Sequence, residues 1–194
     1  MRGTAETLGL IRRSLVGRGA AVLAAIVAVT GLPGHAQTLR DALDPFVGQI
    51  IDEDEAKVFE GAVAACLLHV SGEAGIQDWF SRTSWDGGID EGEMLGFHDR
   101  STFVGFWPSP DFCMVESQAI GSEQGSAITG RLVWLLALAP ETVNGTDDYG
   151  CETITWHGIR ATITGEGQDP QCHSETGAAV RLERLEPLMQ PAKG

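Results

Sequence analysis

The chain has 194 residues, with 13 basic against 27 acidic side chains and a formal net charge of −14. An excess of acid on that scale repels phosphate backbones and anionic lipid, and nucleic-acid binding would need a basic face to release counterions. A solvating role outside the cell, or a cationic partner, suits such a field better.

The first residues read as an export signal. Met1 to Arg18 carries Arg2, Arg12, Arg13 and Arg18 against the single acid Glu6. An apolar run from Ala20 to Val29 follows, then Gly31, Pro33 and the small-residue exit Gly34-His35-Ala36. Basic, apolar and small residues in that order mark a cleavable bacterial signal peptide. The expected cut falls after Ala36, giving a signal at 1–36 and a single mature domain at 37–194. The apolar run is about half of the ~20 residues a spanning helix requires, so no membrane attachment is expected after cleavage. The pair Arg12-Arg13 suits a twin-arginine signal, but Ile11 stands where Ser or Thr is usual, and the general secretory route fits equally. The mature part keeps 9 of the basic and 26 of the acidic residues.

All four cysteines, Cys66, Cys113, Cys151 and Cys172, follow the expected cut. An even number in an exported chain implies disulfides. Three pairings exist; Cys66 with Cys113 and Cys151 with Cys172 is the expected one, because the second pair flanks a hairpin. No two cysteines stand two to four residues apart, which argues against zinc and against a redox Cys-x-x-Cys.

In chain order, 37–51 reads as an irregular lead-in broken at Pro45. A helix is predicted over 53–71: Asp52 caps it, acids fill its first turn, and Phe59, Ala62, Val63, Cys66, Leu67 and Val70 recur at helical spacing. Residues 73–101, rich in glycine and acid, read as a long polar loop, and loops of that length are often functional. Residues 102–107 and 112–117 form a hairpin about Pro108–Asp111. A second helix runs from Ser122 through Leu138 to Pro140, apolar nearly all round and therefore buried; a buried strand within 131–138 is the alternative. A turn-rich acidic link at 144–148 leads to a second hairpin, 153–156 and 160–164, whose Thr alternates with Ile or Trp as in a sheet with one wet face. A last strand lies within 179–185. The expected fold class is α+β: a single small domain with two helices packed on an antiparallel sheet built from two hairpins, disulfide-stabilised.

Three sets of residues carry candidate chemistry. His98, Asp99 and Ser101 lie close enough in sequence to suggest a base, its orienting acid and a nucleophile, although such a constellation is defined in space and no Gly-x-Ser-x-Gly elbow occurs. His69, His157 and His173 are the other candidate bases. Asp86, Asp90, Glu91 and Glu93 cluster hard oxygens suited to calcium, without the spacing of an EF-hand. Trp79, Trp85 and Trp107 sit in or beside the long loop, where indoles could stack on sugar rings or cations; Trp134 and Trp156 read as core. No phosphate loop, dinucleotide fingerprint or haem attachment appears, so no cofactor is expected. The function expected is that of a noncatalytic binding or accessory domain in the periplasm or medium, with a basic exported protein as partner. A small periplasmic hydrolase using His98 and Asp99, or a structural envelope protein, are the alternatives.

Overall fold

A computed structural model describes residues 39–90, 94–109, 111–136, 142–165 and 171–185, the side chains of 88–90 and 136 excepted. The predicted signal and its cut lie outside the described residues, as do Glu91 and Glu93. The elements are α1 (Leu39–Val47), a 3-10 turn (Gly48–Ile51), α2 (Glu55–Val70), α3 (Gln77–Phe80), β1 (Asp86–Asp90), β2 (Leu95–Asp99), β3 (Thr102–Phe106), β4 (Phe112–Ser117), α4 (Ser122–Leu136), β5 (Val143–Thr146), β6 (Glu152–Trp156), β7 (Ile159–Thr164) and β8 (Ala178–Arg184).

The fold is α+β, but the sheet is larger than two hairpins. Among the described residues it has eight strands, antiparallel in the order β1-β2-β3-β4-β8-β7-β6-β5. Two four-stranded meanders thus join where β4 pairs with β8 along Phe112↔Glu183 to Ser117↔Ala178. Among the described residues, four α-helices accompany the sheet rather than two. α2 is buried on nearly all sides, between the sheet and α1 with its following turn. The Cys66–Cys113 disulfide bonds α2 to β4, and Cys151 bonds Cys172, the expected pairing.

Several local expectations are corrected. The 39–47 segment is helical despite Pro45, because Leu43 and Val47 are wholly buried against α2 and tertiary packing outweighs a single broken hydrogen bond. The cap of α2 is Asp54, whose carboxylate accepts from the Ala56 amide; Asp52 instead accepts from the Asp54 amide and Lys57. Residues 73–101 are not one loop but hold α3, β1 and β2. The glycines of β1 read as breakers, yet the Phe97 ring occupies the volume a Cβ on Gly87 would need. β1 is therefore a strand that exists through its neighbour. The 144–148 link begins as the edge strand β5, which pairs with β6, and turns only at Asp147–Gly150. α4 buries Ile128, Leu132 and Val133 but exposes Trp134 and Leu135, so it is amphipathic rather than buried all round.

Candidate functional site

Strand alternation divides the sheet into two faces. On one, Cys113, Val115, Val180, Leu182, Ala161 and Ile163 are buried towards the helices. α3 joins the same layer, its Phe80 ring lying 5.3 Å from Phe97 and 5.4 Å from Phe106. The opposite face carries Phe112, Met114 and Glu116 from β4, Ala179, Arg181 and Glu183 from β8, and Arg160, Thr162 and Thr164 from β7. Register places them in rows: Phe112, Glu183 and Arg160 in one, Met114, Arg181 and Thr162 in the next.

Over these rows lies a cavity of about 530 Å³. Its floor is the cross-strand ion pair of Arg160 and Glu183, with Arg181 and Thr162 one row on. Trp107 and Phe112 form one wall, their rings edge to face at 4.6 Å. The opposite rim is Asp147 and Tyr149, the latter 72% exposed. Asp147 holds that rim as an Asx turn, its carboxylate accepting from the amides of Tyr149 and Cys151, both at 2.9 Å. The Cys151–Cys172 bond then ties the turn to the segment leading into β8.

Trp107 is held from the helix side as well. His69 of α2, 4% exposed, donates through Nε2 to the Trp107 carbonyl at 2.9 Å, and its Nδ1 faces the Gln77 amide nitrogen at 3.4 Å. Those partners place the ring hydrogen on Nε2. Burial pushes the His69 pKa below its ordinary 6.5, and hydrogen bonds to the Trp107 and Ser109 backbone offset part of that fall.

The residues singled out in sequence are dispersed. His98 and Asp99 are consecutive on β2 and so point to opposite faces. His98 is exposed beside its register neighbours Asp86 and Phe103, and among the described residues no polar partner meets its ring. Asp99 pairs with Arg100 at 3.2 Å, and Ser101 donates its hydroxyl to Glu55. Arg100 takes a left-handed φ of 47° in this two-residue turn, and its guanidinium bonds the carbonyls of Asp52 and Glu53, so Asp99, Arg100 and Ser101 anchor the β2–β3 hairpin to the start of α2. Asp86 is exposed on β1 and Asp90 ends that strand; among the described residues no three His, Cys, Asp or Glu side chains gather to hold a metal ion. Of the three tryptophans, Trp85 is 5% exposed and donates to the Ile50 carbonyl at 2.8 Å, which makes it core. Trp79 packs on the core with Arg40 over its ring at 5.7 Å. Trp107 alone of the three lines the cavity. His157 occupies the β6–β7 turn, and His173 borders a second groove of about 680 Å³ at the start of α4, which has no aromatic wall.

Tyr149, Arg160, Thr162, Arg181 and Glu183 were not singled out in sequence. The available signal was the polar half of the alternation in β7 and β8, with two of the chain's few basic residues on adjacent strands. Compared with protein-family models, characterised proteins and solved structures, the chain matches none.

Proposed function

We propose that this chain is an exported binding domain whose ligand seats in the cavity over β4, β8 and β7. The observation that carries the reading is the combination of an aromatic wall, Trp107 and Phe112, with a floor of paired charges on a rigid sheet. Concave sites of roughly 300–1,000 Å³ with a few convergent polar groups are the usual form of small-ligand sites. Export is supported by two disulfides, which persist in oxidising compartments. The acidic remainder of the surface stays suited to a basic exported partner, as the net charge suggests.

The test is a chemical-shift map of the isotopically labelled protein against a small-molecule extract of the host's periplasm. Perturbations clustered at Trp107, Tyr149, Thr162 and Arg181 are expected. Perturbations confined to the groove at Ser122 and Ser174, or none at all, would sink the reading. Intact mass of protein recovered from the host, with and without reductant, tests export: a start at Gln37 and two disulfides are expected, and free thiols on an uncleaved chain overturn it.

A further inference from the structure

Resting on that reading of the cavity, we infer that its ligand is a neutral saccharide. The charged side chains that line the cavity balance in number. Arg160 and Arg181 stand against Glu183 and Asp147, a balance that contrasts with the strongly acidic chain around it. Arg160 and Glu183 already neutralise one another across the strands. That pair is part-exposed, at 41% for Arg160 and 33% for Glu183, so both groups remain open to a ligand from the cavity side. A hydroxyl-bearing ligand need not break the pair. A guanidinium in a salt bridge keeps further N–H donors, and a carboxylate keeps further acceptor sites. Adjacent ring hydroxyls both donate and accept, so they bond both groups at once and leave the pair intact. The Thr162 hydroxyl, one row away, adds a group of the same dual kind.

The wall supplies the second half of the match. A pyranose presents an apolar C–H face beside its hydroxyl edge, and flat aromatic rings take that face. Trp107 is fixed for this by Phe112 on one side and by the bond from His69 to its carbonyl. Tyr149 offers a second ring across the opening. The pair of charges below and the ring beside them thus order the two surfaces of one sugar residue.

The experiment is a tryptophan-fluorescence and calorimetric titration of the whole protein with three probe sets. These are neutral oligosaccharides (chito-, cello- and malto-series), oligouronates, and short peptides with free termini. Saturable binding of a neutral series is expected, nearly unchanged by added salt, and weakened roughly tenfold or more by Trp107→Ala and by Glu183→Gln. Tyr149→Ala, at an exposed rim position, gives the same direction of effect should Trp107→Ala compromise folding. Binding of oligouronates or peptides alone, abolished by the same substitutions, overturns the saccharide assignment and leaves the binding cavity standing. No binding of any probe set overturns the saccharide, and the chemical-shift map then decides whether the cavity itself falls.

Discussion

At His69 the fold buries a titratable ring between α2 and the β3–β4 turn. Its folded pKa lies below the unfolded 6.5, so as pH falls the unfolded chain takes up the proton first. The contribution to stability is complete above that value and declines as pH drops through it. The urea midpoint is therefore expected to hold above about pH 7 and to fall as pH drops below the unfolded value of 6.5. His69→Gln, which keeps a donor for the Trp107 carbonyl, removes most of that slope; an unchanged slope in the variant would refute the assignment. Two tryptophans make a second contrast at this scale. Trp134 is 74% exposed and Trp156 is 3% exposed. Trp134→Ser should alter stability by no more than about 0.5 kcal/mol, whereas Trp156→Ala should cost about 3–5 kcal/mol. Equilibrium unfolding of both variants checks the pair.

Between elements, α2 comes close to the end of α1 and the 3-10 turn. A Cβ added at Gly61 would stand 2.8 Å from the Phe46 carbonyl oxygen and 2.8 Å from the Ile50 amide nitrogen. Both are backbone atoms and cannot rotate away. Alanine is the better helix former by about 1 kcal/mol, yet Gly61→Ala is expected to destabilise by about 1–3 kcal/mol through overpacking. A chemical denaturation curve decides which effect wins, and a stabilised variant would show that the two segments separate easily. The same logic explains why Gly87 belongs to a strand: the space beside it is already filled by Phe97.

For the molecule as a whole, the disulfides do different work. Cys66–Cys113 spans 47 residues and bonds the helical layer to the sheet, with both sulfurs wholly buried; Cys151–Cys172 spans 21 and braces the cavity rim. Loop entropy assigns about 4 kcal/mol to the first and about 3 kcal/mol to the second. Replacing Cys66 and Cys113 by alanine should lower the unfolding free energy by at least the larger amount, since it also leaves a buried gap. Replacing Cys151 and Cys172 by serine should cost less. Thermal unfolding ranks the two variants, and the reverse order would mean that the rim, not the layer contact, limits stability.

What the residues determined alone was local and periodic. The apolar stripe of α2, the hairpin of Thr102–Phe106 and Phe112–Ser117, and the Thr-and-Ile alternation of β6 and β7 were legible, because each is set by a period of about two to four residues; the four cysteines left three pairings open, and the fold selected the expected one. Tertiary structure decided the rest. It made strands of glycine-rich β1 and polar β5, which have little propensity and borrow their pairing from neighbours. It turned Trp134 outward and Trp85 inward, a difference that helix and loop periodicity could not carry. It separated His98, Asp99 and Ser101, close in sequence, by the alternation of a strand and the demands of a tight turn. It also assembled the cavity from β4, β7, β8 and the Asp147 turn, segments far apart in the chain. The pairing of β4 with β8 made that possible, since only a long-range register brings Phe112, Glu183 and Arg160 into one row.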